Sequence, residues 1–517
     1  MRGEYRIGVD VGGTNTDAVL LDDELQLVAK AKTPTTENVD EGLAAAIQMV
    51  LSASGVVPAS VSRVMLGTTH ATNAVLQRRD LASVAVIRIG GPATRSVPPL
   101  STWPADLRKV VSAGEIIVDG GFEFDGREHV PFDEPDLRRF LEDLPERPEA
   151  CAITSTFSPV SAEHEHIAAA VVADVFGQDT PVSLSCDIGS IGILERENAC
   201  VLNAALRRVA RQIADGLSTV LREQAIEATP FFAQNDGTLM ALERVLEFPV
   251  LTVGSGPANS MRGAAYLTGL RDAIVVDVGG TSTDIGVLAN GFPRESAIPV
   301  EIGGVRTNSR MPDLLSIALG GGTRVRGDGD DLEIGHDSVG YRLTSEALCF
   351  GGPMITLSDM TVRAGRASMG THPVDAVSES QAAEAIARVD AMFEDAVDRM
   401  KLARSEQPAI AVGGGSVLLP NSLAGVSEVH RPDNYEVANA IGAAIASISA
   451  EVDQLLTLGP GGREEAIKKA RDAAIGSAIA LGAEPERTEI VALEELTMAY
   501  LKDNVLRLRV KAAGPLL

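Results

Sequence analysis

One eight-residue stretch occurs twice in this chain. Asp10-Val11-Gly12-Gly13-Thr14-Asn15-Thr16-Asp17 follows the apolar run Ile7-Gly8-Val9, and Asp277-Val278-Gly279-Gly280-Thr281-Ser282-Thr283-Asp284 follows Ile274-Val275-Val276. Seven of the eight positions are identical, and each copy leads into a second apolar run, Ala18 to Leu21 and Ile285 to Leu288. An apolar run, a polar glycine break and another apolar run predict strand, hairpin and strand. Their recurrence predicts two halves headed by the same unit. A length of 517 residues agrees, being too great for one ordinary core.

The hairpins have a chemical rationale. Paired glycines permit positive φ and remove Cβ atoms that would hold a large anion away, so backbone N–H groups can point at a phosphate. Thr14, Asn15, Thr281 and Ser282 add neutral donors. Asp10 and Asp277, each at a strand end, are hard oxygen ligands suited to Mg²⁺, which keeps waters and bridges to phosphate. Two such turns facing one another would grip a nucleoside triphosphate from both sides. A single Gly-Gly turn would be an ordinary hairpin. Two near-identical copies with matching aspartates favour the phosphate reading.

These paired turns resemble the two phosphate motifs of the actin, chaperone and sugar-kinase ATPase superfamily. Gly67-Thr68-Thr69-His70-Ala71-Thr72-Asn73-Ala74-Val75-Leu76, Ser255-Gly256-Pro257-Ala258 and the second phosphate turn narrow the resemblance to the hydantoinase A/5-oxoprolinase family, from Ile7 to about the chain end. The resemblance implies an α/β fold of two actin-like (ribonuclease H-like) ATPase halves around a nucleotide cleft, with an inserted lobe and a small C-terminal α+β appendage. The expected divisions are residues 1–190, 191–455 and 456–517. It also implies ATP and Mg²⁺, with Asp10 and Asp277 as catalytic metal organisers. Gly12, Gly13, Thr14, Asn15, Gly279, Gly280, Thr281 and Ser282 would form the phosphate cradle. Ala409-Ile410-Ala411-Val412 leads into Gly413-Gly414-Gly415, which would face adenosine, and Ala438 to Ala444 resembles the connecting helix, with a small face that allows close helix approach.

Composition limits the partners. The net charge is −26, from 71 acidic and 45 basic residues, which argues against a general nucleic-acid or anionic-membrane binder. The N-terminus enters a strand with no signal peptide, and Val437 to Ala450, the most apolar long segment, is too short to span a bilayer. A cytoplasmic, homo-oligomeric protein is expected. Cys151, Cys186, Cys200 and Cys349 lack Cys-x-x-Cys spacing and are expected as thiols rather than disulfides or a zinc site. His164 and His166 flank Glu165 on a predicted helix, two apart and so on different faces, which favours solvation over a metal pair. Trp103 is expected to anchor packing.

Along the chain, helices are expected from Glu37 to Ala53, Ala71 to Arg79, Ile193 to Glu223 and Glu464 to Leu481. Strands are expected at Val61 to Leu66, Ser83 to Ile89, Cys151 to Thr154, Pro181 to Cys186, Arg487 to Leu493 and Val505 to Val510, with a break at Asp503-Asn504. Pro92 to Phe132, rich in proline, glycine and charge, is either an irregular excursion or a small lobe. Gly67-Thr68-Thr69 opens a helix, where it serves either a ligand or simply the helix cap. His70 replaces an apolar family position and either tunes a pocket or is exposed. Glu195-Arg196 matches a family word and is either drawn to the cleft or a structural ion pair. Gln234 and Asn235 are candidates for holding a substrate amide. Met311 to Thr323 departs from the family: Leu315 stands where relatives have histidine and Ser316 where they have threonine, so any role of that histidine fails here. Gly320-Gly321-Gly322 is expected near nucleotide or substrate.

The function the resemblance implies is ATP-dependent hydrolysis of a cyclic amide or imide, by phosphorylating its carbonyl oxygen, with a separate hydantoinase B-type subunit as partner. A ketone carboxylase subunit, a small-molecule kinase and a nucleotide-switched interaction protein are the alternatives.

Overall fold

The duplicated stretch is a duplicated structure. In the computed structural model, which describes residues 4–35, 39–189, 191–296, 298–401, 405–457, 462–497 and 505–517, Tyr5–Val11 pairs antiparallel with Asn15–Leu21, setting Asp10 opposite Asp17. Ala273–Val278 pairs in the same register with Thr283–Ala289, setting Asp277 opposite Asp284. Each leading strand has a parallel neighbour on its other side, Val61–Thr68 in the first half and Gln407–Val412 in the second. Ile7 and Val9, and their counterparts Ile274 and Val276, have no exposed surface, and neither do Leu20 and Ile285 on the second strands. Burial of each such side chain contributes about 1.5–3 kcal/mol.

The first hairpin lies in a nine-stranded sheet. Beyond Val61–Thr68 the sheet continues through Thr229–Ala233, parallel, and Thr238–Ala241, antiparallel. Ser447–Thr457 then joins parallel to Thr238–Ala241, followed by Val505–Gly514 and the edge strand Glu489–Thr497. The C-terminal strands and the helix Gly462–Ala480 are thus built onto the first sheet, which draws strands from all three of the stretches 1–190, 191–455 and 456–517. That three-way division remains a proposal. Asp503-Asn504, the expected break, lies outside the described residues, as does the start of the helix expected from Glu37.

The second hairpin heads a six-stranded sheet, with Leu314–Ile317 on its outer strand and the helix Glu379–Met400 packed against it. Ser378 caps that helix by accepting from the Gln381 N–H.

A third, four-stranded parallel sheet forms the inserted lobe: Ser112–Asp119, Val84–Gly91, Ala150–Ser155 and Val182–Leu184. Of the two readings of Pro92 to Phe132, the lobe is what is observed. Ala105–Val111 is a helix and Ser112–Asp119 an edge strand, since Leu107, Val111 and Val118 are fully buried between the proline and glycine punctuation. The Ile193–Glu223 helix runs from this lobe to the first sheet, burying Cys200 to Val209 against one and Leu217 to Leu221 against the other. Arg88 and Glu197 form a fully buried ion pair across that contact, where desolvation offsets much of the Coulomb attraction.

Two expectations for this region are corrected. His164 is buried rather than solvated: its Nδ1 accepts from the Gly121 N–H at 2.9 Å, and only His166 is exposed. Glu195 and Arg196 do not pair with each other. Glu195 meets Arg306 at 3.5 Å, whereas Arg196 donates to Ser185 Oγ beside buried Glu165, and neither residue lines the nucleotide-sized cleft described below. Trp103 is buried, with Nε1 donating to Asn198 Oδ1 at 2.7 Å. All four cysteines are free thiols; Cys151, Cys200 and Cys349 are buried and Cys186 is half-buried.

Candidate active site between the two glycine hairpins

The two hairpin tips close with the same hydrogen bond, Gly12 N–H to Asn15 O at 3.0 Å and Gly279 N–H to Ser282 O at 2.9 Å. None of Gly12, Gly13, Gly279 and Gly280 has positive φ, so the expected conformational reason for glycine does not hold. The reason is space. A Cβ on Gly280 would stand 3.1 Å from Thr14 Oγ1 of the opposite hairpin, and one on Gly12 would stand 3.0 Å from Asn15 O. The hairpins therefore face one another at contact distance, with room at Gly13, where a Cβ would meet nothing.

Between them lies a cleft of about 560 Å³. Asp10, Gly12, Gly13, Thr14 and Asn15 line one wall, and Asp277, Gly279, Gly280, Thr281 and Ser282 the other. Gly413, Gly414 and Gly415 close a third side, where Gly415 N–H donates to Val278 O at 2.8 Å. At Gly413 φ is +82°, and a Cβ would run into Val278 O and the Asp277 carboxylate, so this glycine is required on both counts. Gly321 and Gly322 donate to the carbonyls of Gly279 and Gly280 at 3.0 and 2.7 Å, bracing the second hairpin from behind.

Asp10 is held by two amides. Asn439 Nδ2 donates to Asp10 Oδ2 and to Asp17 Oδ2, both at 3.0 Å, and Asn259 Nδ2 lies 3.4 Å from Asp10 Oδ1. Burial, and then the charge of Asp17, push the Asp10 carboxyl up to about 6. Burial pushes Asp277 up to about 7, against the Ser260 hydrogen bond that favours its charged form. Among the described residues Lys32 is the cation lining the cleft, paired with Asp17 and also facing Gly414. Lys32, Asn439, Asp17 and Asp284 were not singled out in the sequence as site residues. Lys32 is brought to the cleft by the strand register that sets it opposite Asp17.

The remaining candidates divide. Thr69 lines the cleft and is the N-cap residue of the helix His70–Gln77, but it makes no side-chain cap and spends its hydroxyl on Val11 O at 3.1 Å, while Thr68 Oγ1 accepts the His70 N–H at 3.2 Å. His70 is half-buried, and burial lowers its pKa. Leu315 pairs with Ile285 and packs on the second sheet's core, while Ser316 bonds Asp284. Gln234 and Asn235 lie outside the cleft, in a separate cavity.

The donors suit a divalent cation bound through substrate. Among the described residues no group of three or more His, Cys, Asp or Glu side chains could hold a metal. The hairpins offer two buried carboxylates raised by desolvation, and Mg²⁺ is commonly held by one or two carboxylates with phosphate and water completing its shell. A pH dependence follows. Both carboxyls lie above 3.8, their ordinary value, so between about pH 4 and 7 the folded chain keeps protons that the unfolded chain has released. The contribution of these two groups to stability is greatest below that window and falls as pH rises through it. Mg²⁺ competes with those protons and is expected to raise the melting temperature at pH 8 and not at pH 5. At ten times its Kd it contributes about 1.4 kcal/mol. Equal shifts at both pH values would dissociate the cation from these aspartates.

Among the described residues no helix is long and apolar enough to cross a membrane. Comparison with known proteins places the chain. Residues 6–176 match the hydantoinase/oxoprolinase N-terminal region, and residues 196–384 match the hydantoinase/oxoprolinase model. Similar proteins include the acetophenone carboxylase gamma subunit of Aromatoleum aromaticum, 25% identical over 71% of this chain and 54% of that protein. The caprolactamase subunit alpha of Pseudomonas jessenii is 26% identical over 70% of this chain and 54% of its own length. The chain thus spans about half the length of these curated relatives. The crystal structure of the ATP-dependent caprolactamase from Pseudomonas jessenii superposes with a TM-score of 0.77 at 19% identity, covering 99% of this chain and 87% of that one, which establishes the shared actin-like ATPase fold. With both of its halves matched in order and the paired hairpins in place, the chain belongs to the hydantoinase/oxoprolinase family.

Proposed function

We propose that this chain binds ATP in the cleft between its two hairpins and transfers the γ-phosphoryl group to the carbonyl oxygen of a cyclic amide or imide, driving ring hydrolysis. The observation that carries this reading is the pair of buried carboxylates, Asp10 and Asp277, set across one cleft by near-identical glycine hairpins.

An amide resists water because nitrogen donates into the carbonyl. Attack of its oxygen on the γ-phosphorus, with ADP leaving, yields an imidate phosphate whose carbon accepts water. Cleavage of the ring C–N bond then frees the amine, and a second water releases phosphate from the acyl phosphate. The protein's part is positioning and charge. The hairpin tips hold the phosphates, Lys32 offsets charge on the transferred group, and Asn439 and Asn259 fix the Asp10 carboxylate. Asp10 and Asp277 would hold Mg²⁺, which supplies charge neutralisation along the phosphates. Gly413 to Gly415 provide a side-chain-free surface for adenosine.

A ketone carboxylase subunit is the second reading, favoured by the similarity to the acetophenone carboxylase gamma subunit. The relatives' names as subunits support a separate B-type partner in either case. Mg-ATP hydrolysis by the purified chain, alone and with a B-type subunit, across a panel of lactams and ketones with and without bicarbonate, tests both. Stimulation by one lactam without bicarbonate is the expected result. Stimulation that requires a ketone and bicarbonate would replace it with the carboxylase reading.

A further inference from the structure

The nine-stranded sheet has two edges, and only one of them is guarded. Leu27–Pro34, at one edge, carries Lys30, Lys32 and Pro34, and Lys30 Nζ donates to Asn434 Oδ1 at 2.7 Å, so a segment of the second half lies against it. Lysine, proline and a covering segment are the devices that keep a sheet edge from pairing with another chain. Glu489–Thr497, at the other edge, contains no lysine and no proline. It pairs with Val505–Gly514 on one side, and among the described residues no strand pairs with the other.

Its charges guard it poorly. Glu494 accepts from Arg509 Nη1 at 2.9 Å and Glu495 from Arg463 Nε at 2.8 Å, so both are compensated within the chain, and Leu493 and Leu496 stand exposed beside them. Glu495 turns toward the helix Gly462–Ala480, where Arg463 lies, so Leu493, two residues earlier, faces the same side. On that side a groove of about 460 Å³ is lined by Ile467 and Ile475 of the helix and Ile490 of the strand. Its charges cancel, Lys468 and Arg471 against Glu464 and Asp472.

The occupant these features fit is a second copy of this chain. A foreign strand laid on this edge would leave its own outer edge open, whereas a twofold axis gives each copy's open edge to the other and closes both. The chain carries a net charge of −26, so two copies repel over most of their surface and approach most readily where local charge is balanced, as it is here. The twofold also has a preferred register. Centred on Glu494 or Glu495 it would oppose glutamate to glutamate; centred on Leu493 it lays Leu493 on its own copy and Ala492 against Glu494. The register shift beside Val491 falls outside those central pairs.

We propose that two copies of this chain pair antiparallel along Glu489–Thr497 about a twofold at Leu493. The nine-stranded sheet then continues across the dimer, and the second copy covers the groove over Ile467, Ile475 and Ile490.

Sedimentation velocity of the full chain across about 1 to 100 µM tests this. Wild type sediments as a dimer, twice 54.0 kDa. Leu493→Lys sets two lysines against each other on the axis and raises the dimer dissociation constant at least about tenfold, with a melting curve showing that the monomer is folded. Met49→Lys, likewise an exposed apolar residue but on the helix Val39–Ser54, leaves the dimer intact. Leu493→Cys meets its own copy on the axis, within the Cα separation of about 4.4–6.8 Å that a disulfide spans, so mild oxidation joins Cys to Cys between copies, as peptide mapping reads. Met49→Cys does not cross-link. This second pair of variants decides the matter if Leu493→Lys fails to fold. A wild-type chain that stays monomeric throughout overturns the proposal. So does a dimer in which Leu493→Cys does not cross-link to itself, because that dimer uses another face. None of these readouts depends on ATP turnover.

Discussion

Asp277→Asn and Asp10→Asn are each expected to lower Mg-ATP turnover by about three orders of magnitude while leaving the chain folded. Asparagine keeps the shape of aspartate and removes the charge on which cation binding depends. The two variants should differ in stability. The Asp277 carboxyl is driven up to about 7 by burial, so at pH 8 the native protein carries a desolvated negative charge that the amide relieves. A gain of the order of a few kcal/mol follows at pH 8, shrinking towards pH 5, where the aspartic acid is already neutral. Asp10 accepts from both Asn439 and Asn259, and an asparagine there must turn its own NH₂ towards one of those donors. That conflict costs about 1–3 kcal/mol and offsets the relief of charge. Steady-state ATP hydrolysis with melting curves at pH 5 and pH 8 reads both effects. Turnover near wild type in both variants would remove the aspartates from the site.

What was legible in the chain, and what was not, has a common physical basis. The hairpins were readable because continuous apolar runs, glycine turns and paired aspartates are local and occur twice. The residues expected at the phosphates do line one cleft. Lys32 was hidden because its strand, Leu27–Pro34, alternates between faces, and only pairing with Asp17 tells which face meets the cleft. The buried set of Glu165, Ser185 and Arg196 was hidden for the opposite reason. Its members come from three elements, and a charged residue on a helix carries no local mark of burial until a partner is known. The strands expected at Arg487 to Leu493 and Val505 to Val510 are strands, yet their place in the first sheet depends on Ser447–Thr457, which was not expected as one, through Thr238↔Ser447 and Leu239↔Ile448, a parallel pairing across more than two hundred residues. Such pairing has no turn chemistry to announce it. The hairpin glycines were expected both for positive φ and for the missing Cβ; none has positive φ, and the one whose Cβ would meet the opposite hairpin is Gly280, against Thr14, a contact no local pattern shows.

Gly442→Val is expected to cost about 3 kcal/mol or more and to reduce turnover by disordering Asp10, although it touches neither nucleotide nor substrate. The helix Ala438–Ile445 crosses the helix Ser255–Thr268 with no space for side chains between them. A Cβ on Gly442 would press into the carbonyl of Asn259 and stand 2.9 Å from Gly263 N, and one on Gly263 would meet the Ala438 carbonyl in return. These obstacles are backbone, so a valine must push the helices apart. Overpacking against backbone in a filled core is costly because nothing nearby can rotate away. The functional consequence comes from the neighbours: Asn439 sits on one helix and Asn259 on the other, and both donate to Asp10. Separating the helices withdraws those donors together, so the fall in kcat should accompany the loss of stability. Gly476→Ala is the control, because that glycine lies in the helix Gly462–Ala480 where a Cβ meets nothing. It should stabilise by about 0.5–1 kcal/mol through helix propensity and leave turnover unchanged. Urea titration and ATP hydrolysis on the two variants separate the effects; a Gly442→Val protein with wild-type stability and rate would show that the helix crossing does not hold Asp10 in place.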